Sequence, residues 1–203
     1  MSTALIIFAK APVPGHSKTR LIPALGPEGA ARLAGRMLDH TIREMLQLPD
    51  MHLELCVSPT AEHPAFESIR STAGDRLNIT LQGDGDLGER MHRALTRVLS
   101  KHTRAILIGT DAPGLNSGMI SRAEQALESH SAVFVPARDG GYALVGLTRP
   151  APELFLEMTW STSQVMRITR ARAHDSRLLW AELPAVNDID QPADLVYLPD
   201  GWR

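Results

Sequence analysis

The sequence holds a single cysteine, Cys56, so no disulfide can form within the chain. Its place in the apolar run from Leu53 to Val57 reads as a buried, reduced thiol, which points to the cytosol. An excess of charge of either sign is also missing: 21 Lys and Arg face 23 Asp and Glu, for a net charge of −2. No long-range field is then expected to draw in nucleic acid or an anionic membrane surface, and any anion has to be held by local contacts. Apolar runs fall well short of the roughly eighteen residues that span a bilayer. The apolar stretch Ala4 to Ala9 at the N-terminus has no basic segment before it, so a secretory signal is not expected. These absences describe a cytoplasmic, soluble protein. Internal repeats, low-complexity tracts and linkers are lacking too, and with 43% hydrophobic residues the expectation is one domain over residues 1–203.

Short runs rich in Ile, Leu and Val stand at Leu5 to Phe8, Leu53 to Val57, Ala105 to Ile108, Val133 to Val135 and Ala143 to Val145, and read as buried strands. Between them lie helical stripes. Ala34, Met37, Leu38, Thr41, Ile42 and Met45 form one, Met91, Ala94, Leu95, Val98 and Leu99 a second, and Ile120, Ala123 and Leu127 a weaker third. Phe66 and Ile69 add a short helix in an otherwise polar segment. This alternation predicts a mostly parallel sheet with helices on both faces. The turn DGGY, Asp139 to Tyr142, is too short for a crossover helix and predicts an antiparallel excursion late in the chain.

Ligands of such sheets collect at the carboxyl ends of parallel strands, so the residues that follow each apolar run carry the functional signal. FAKAPVPGHSKTRL, Phe8 to Leu21, places Lys10, Lys18 and Arg20 in a loop shaped by Pro12, Pro14 and Gly15, either a phosphate clamp or a solvated surface loop. It is not a Walker A loop, because Ser17 stands where that motif needs glycine before lysine. LQGDGDLGERM, Leu81 to Met91, offers Gly83, Gly85 and Gly88 for close backbone approach and Gln82 as a reader of a base edge, while Asp86 and Glu89 also fit a helix capping box. In AILIGTDAPGL, Asp111 follows a strand and suits a divalent cation; its other reading is a helix cap. In AVNDIDQPADL, Asp188 and Asp190 are two apart on an extended segment and aim the same way, with capping of the Pro192 helix as the alternative for Asp190.

Taken in order, KAPVPGHSKTRL, QGDGDLGERM, IGTDAPGL, FVPARDGGYALVGL, WSTSQV and NDIDQPADL resemble the small bacterial nucleotide-diphospho-sugar transferase-like proteins of arsenosugar biosynthesis and the selenodomain-associated glycosyltransferases. More distantly the plan is similar to molybdenum-cofactor and phospholactate guanylyltransferases. The resemblance implies a three-layer GT-A-like α/β fold and a transfer that depends on Mg²⁺ or Mn²⁺. It further implies Lys18 and Arg20 as phosphate-binding cations, Asp111 as the first metal carboxylate and Asp190 as the second, with Asp188 its close competitor. Lys10, Gly15, Gln82, Gly83, Gly88 and Arg90 would border the nucleotide. Asp139, Gly140, Gly141 and Tyr142 would face the sugar or acceptor, with Asp139 a general base if the reaction inverts; Trp160, Ser161 and Thr162 would border the acceptor, unless Trp160 is core and Ser161 a helix cap. Two departures stand out: the first loop lacks the guanylyltransferases' double-glycine, serine-arginine pattern, and Gly114 replaces an expected aspartate.

The implied activity is glycosyl transfer from a nucleotide diphosphate-sugar to a small-molecule acceptor. Nucleotidyl transfer from a nucleoside triphosphate, with release of pyrophosphate, needs the same clamp and metal. A non-catalytic nucleotide sensor is the reading from another class. The sequence does not fix the base, sugar, acceptor or oligomeric state.

Overall fold

The computed structural model describes residues 2–202. Seven strands, β1 (Thr3–Lys10), β2 (His52–Ser58), β3 (Leu77–Leu81), β4 (Arg104–Ile108), β5 (Ala132–Pro136), β6 (Tyr142–Leu147) and β7 (Trp180–Glu182), build one sheet in the order β3-β2-β1-β4-β6-β5-β7. Helices α1 (Ile22–Met45), α2 (Pro64–Ala73), α3 (Leu87–Leu99), α4 (Ser117–Ala126) and α5 (Val165–Asp175) cover it. The central strands are continuous apolar runs because both of their faces are buried. Along β1 the alternation is visible: Leu5 and Ile7 pack in the cluster of Leu38 and Ile42 of α1, Phe66 of α2 and Ile120 of α4, whereas Ala4 and Ile6 join Met91 and Leu95 of α3 and Met166 of α5. Three layers follow directly from that period of two.

Helix boundaries obey local chemistry. The Asp86 carboxylate accepts from the Glu89 amide at 2.9 Å and Glu89 returns the contact to the Asp86 amide at 2.8 Å, so α3 starts on a capping box. Asn116 caps α4 through the Met119 amide. Helix α1 is broken near its start, where Gly26 adopts φ 69°, ψ 166° and Pro27 restarts the helix.

β1 pairs in parallel with β2 and with β4, and β2 with β3; β6 alone runs antiparallel, against both β4 and β5, as the DGGY turn requires. Chain order reverses between β1 and β4, so the loops leaving their carboxyl ends diverge and open a crevice. Three elements go beyond the sequence expectation. β3 is an edge strand with partly exposed residues, β7 is only three residues long, and α5 carries an arginine-rich outer surface over a narrow buried stripe of Val165, Met166, Thr169 and Ala173. Among the described residues no helix is long and apolar enough to cross a membrane.

Candidate active site

A cleft of about 640 Å³ opens at that crevice, over the carboxyl ends of β1 and β4 and the amino end of the reversed strand β6. The loop after β1 is tied to the end of β2 by the Ala11 amide, which donates to the Ser58 carbonyl at 2.9 Å, and closes on itself where the His16 and Ser17 amides both donate to the Val13 carbonyl at 3.0 Å. Lys18 follows in the left-handed region, at φ 49°, ψ 43°. Leu21 then drops into a small apolar cluster that also holds Leu33 and Met37 of α1 and, from the far end of the chain, Ile189. Both Leu21 and Ile189 are fully buried. Burying these two apolar side chains together sets their polar neighbours, Lys18 and Arg20 on one segment and Asp188 and Asp190 on the other, side by side.

The charged contacts are close. Lys18 Nζ lies 2.7 Å from Asp111 Oδ1 and 3.8 Å from Asp190 Oδ1, and donates to the Ile189 carbonyl at 2.6 Å. Arg20 Nη1 donates to Asp190 Oδ2 at 2.5 Å. The Ile189 amide donates to the Asp111 carbonyl at 2.8 Å, which fastens the closing segment to the end of β4. Lys18 is only 6% exposed in its side chain, against 56% for Asp111. Neither aspartate is a helix cap: Asn116 serves α4, and the 3-10 turn from Pro192 is capped by Gln191 with Asp194. Asp188 lines the same cleft beside Asp139; burial first, then the charges of Asp139, Asp194 and Asp190, pushes its carboxyl up to about 6.

The remaining sequence candidates divide by position. Lys10, Gln82, Arg90, Asp139, Gly141, Tyr142, Trp160, Ser161 and Thr162 line the cleft. Gln82 is less available than a base reader should be: its amide nitrogen donates to the Ala9 and Cys56 carbonyls at 3.2 and 3.1 Å, and its oxygen accepts from Arg90 at 3.0 Å. Its buried amide therefore ties β1, β2 and α3 together and positions Arg90. Gly15, Gly83, Gly88 and Gly140 lie outside the lining, and of these Gly88 and Gly140 are held in close backbone approaches. A Cβ on Gly88 would come within 2.2 Å of the Phe155 carbonyl and 2.6 Å of Trp160 Nε1, and one on Gly140 within 2.2 Å of the Ser163 carbonyl. Ser161 does not cap α5; Gln164 precedes that helix. Trp160 packs on the α3-side core and also borders the cleft, so both of its readings hold.

Sequence reasoning missed Thr110, Ser58, Leu87 and Met91 as lining residues; Ser58 ends β2, a position the strand-end argument could have named. Tyr142 Oη and Trp160 Nε1 are buried without a hydrogen-bond partner among the described residues, their rings meeting edge to face at 6.3 Å between centroids. Burial alone drives the Tyr142 phenol far above its ordinary range, so it remains protonated.

A divalent ion suits this arrangement. Asp111 and Asp190 offer hard carboxylate oxygens aimed at one point where a positive group, the Lys18 ammonium, already sits. Among the described residues no three His, Cys, Asp or Glu side chains are placed to hold a metal by themselves, so phosphate and water would supply the other ligands.

The sequence from residue 41 to 162 matches the family of uncharacterized proteins conserved in bacteria, DUF2064. The chain belongs to the DUF2064 family. This DUF2064 chain is 30% identical to a Desulfovibrio desulfuricans G20 protein provisionally named a nucleotide-diphospho-sugar transferase, over 96% of this chain and 85% of that one, with a TM-score of 0.86. The DUF2064 fold is shared by the 4-diphosphocytidyl-2C-methyl-D-erythritol synthase of Anaerococcus prevotii DSM 20548, at 11% identity, TM-score 0.66 and coverage of 97% and 93%. It is shared too by the glucosyl-3-phosphoglycerate synthase of Mycobacterium tuberculosis, solved with Mn²⁺, UDP and glucosyl-3-phosphoglycerate, at 11% identity, TM-score 0.58 and coverage of 97% and 75%. No curated protein matches the sequence.

Proposed function

We propose that this DUF2064 protein is a metal-dependent glycosyltransferase that takes a nucleotide diphosphate-sugar and transfers the sugar to a small-molecule acceptor. The observation that carries this reading is the convergence of Asp111 and Asp190 on one cationic point, with Arg20 beside it, at the crevice where strand order reverses. Mg²⁺ or Mn²⁺ held by Asp111 and Asp190, with Asp188 in reserve, would supply charge neutralisation for a leaving diphosphate. Arg20, with its remaining N–H groups, and the cleft-facing Lys10 and Arg90 bind phosphate oxygens. Fixed charge at the site of charge development lowers the barrier without reorganisation. Asp139 lines the cleft at the head of β6; its Oδ1 accepts the Gly141 amide at 2.7 Å, which orients the carboxylate to take a proton from an acceptor hydroxyl. The resemblance to the Desulfovibrio protein supports this reading of the substrate class.

Nucleotidyl transfer is the second reading, favoured by the fold shared with the diphosphocytidyl-methylerythritol synthase. Incubation with Mn²⁺ and either nucleoside triphosphates or sugar nucleotides separates the two, because only nucleotidyl transfer releases pyrophosphate. Asp111→Ala should abolish metal-dependent nucleotide-sugar binding in calorimetry; unchanged binding in that variant would sink the assignment.

A further inference from the structure

We propose that Lys18 is the resident cation of the Asp111–Asp190 pair, and that a divalent ion must displace its ammonium to be held by those two carboxylates. An ammonium has three donors and no acceptor. Here two of them are taken by Asp111 and the Ile189 carbonyl, Asp190 lies at ion-pair range, and the side chain is almost wholly buried. A lysine that waits for phosphate would sit exposed with free N–H groups, as Arg20 does with its 57% exposed side chain. Lys18 instead stands where the oxygen donors converge, and two positive centres cannot share that point.

The inference deepens the reading above but does not need a nucleotide: competition between ammonium and metal is a property of the free chain. It has a consequence of unusual sign. Loss of a charged contact in a site usually weakens binding, whereas here removal of the Lys18 charge strengthens it, because Asp111 is left without its ion-pair partner and Asp190 keeps only Arg20. The left-handed backbone at Lys18 and the buried Leu21 hold the ammonium in place without help from any ligand.

The test is Mn²⁺ binding to the full chain, without nucleotide, followed by the electron paramagnetic resonance signal of free Mn²⁺. Lys18→Met keeps the length and packing of the stem and removes the charge. It should bind Mn²⁺ about tenfold more tightly than the unmodified chain, within the usual range for coupled sites, and the gain should vanish in the Lys18→Met/Asp111→Asn double variant. Equal or weaker Mn²⁺ binding by Lys18→Met overturns the proposal, as does an absence of Mn²⁺ binding to either protein. If Lys18→Met melts too low to assay, Lys18→Gln, which can still donate to the Ile189 carbonyl, replaces it under the same criteria. Calorimetry with UDP and GDP on the unmodified chain, once with Mn²⁺ and once in EDTA, reports separately whether the metal-dependent transferase reading stands.

Discussion

Leu21 and Ile189, which come from opposite ends of the chain, are fully buried in one apolar cluster against α1. Each is flanked by a charged residue of the cleft, so the site is positioned by hydrophobic burial one residue away from its chemistry. Ile189→Ala should therefore act twice. It should cost about 2–4 kcal/mol of stability, as buried truncations do, and it should weaken Mn²⁺ binding although no ligand is touched. Urea unfolding and Mn²⁺ titration check both; a stability loss with intact metal affinity would show that the backbone bond from Ile189 to Asp111 holds the segment alone.

Among the described residues neither Asp188 nor Asp139 has a cation at ion-pair distance: Arg20 and Lys18 serve Asp190, while Asp188 faces Asp139. Removing its charge relieves repulsion in the metal-free chain. Asp188→Asn should melt about 2–4 °C higher than the unmodified protein in EDTA at pH 8, a shift that corresponds to about 1 kcal/mol at this chain length. Mn²⁺ should narrow that difference. A lower Tm in EDTA would mean that the Asp188 carboxylate has a structural duty.

Tyr142 Oη and Trp160 Nε1 lie buried at the cleft wall without hydrogen-bond partners among the described residues. A buried hydroxyl left unpaired costs about 1–3 kcal/mol. Tyr142→Phe should thus leave the Tm unchanged or raise it, where loss of a satisfied hydroxyl would lower it. Differential scanning calorimetry decides between the two.

Much of this was legible in the sequence, and the boundary is physical. The five apolar runs became strands because burial on both faces leaves an unbroken hydrophobic signature. β3 escaped notice because an edge strand needs no such run: Asn78 and Leu81 are exposed. The carboxylates and cations of the site could be named from their places after strands. Their partners could not, since nothing in the spacing of KTR and DID shows that Lys18 reaches Asp111 and Ile189 while Arg20 takes Asp190. Gln82 illustrates the opposite failure: its amide can read a base on paper, but which groups it meets is a tertiary fact, and here they are Ala9, Cys56 and Arg90.

Arg170 of α5 grips Glu182 of β7 with two hydrogen bonds of 2.8 Å, and this pairing holds the Glu182 carboxyl below its ordinary range. A depressed folded-state value means that the contribution to stability is complete above the unfolded value and fades as pH falls through the folded one. Against Glu182→Gln, the unmodified chain should be more stable at pH 7, and the gap should shrink from about pH 5 downward, since free glutamate titrates near 4.3. Thermal melts of both proteins across that range test it, and a gap independent of pH would assign the effect to packing. Because the pair is partly exposed, salt should reduce the gap as well.

Two glycine replacements should differ in sign. A Cβ on Gly88, in the first turn of α3, would lie 2.2 Å from the Phe155 carbonyl and 2.6 Å from Trp160 Nε1. The carbonyl is backbone and cannot swing aside, so either α3 or the Phe155–Trp160 segment has to move. Gly88→Ala should cost about 1–3 kcal/mol, the usual penalty of overpacking, and should change the fluorescence of Trp160 at the cleft wall. Gly118 is exposed in the first turn of α4, and its Cβ would meet only Asn116 Oδ1, at an unstrained 3.4 Å. There alanine restricts the unfolded chain without a clash, and Gly118→Ala should stabilise by about 0.4–1 kcal/mol. Parallel urea titrations of the two variants compare a close approach that the fold requires with a glycine that it does not. If Gly88→Ala proved as benign as Gly118→Ala, the wall formed by α3 and Trp160 would have to be far looser than these contacts allow.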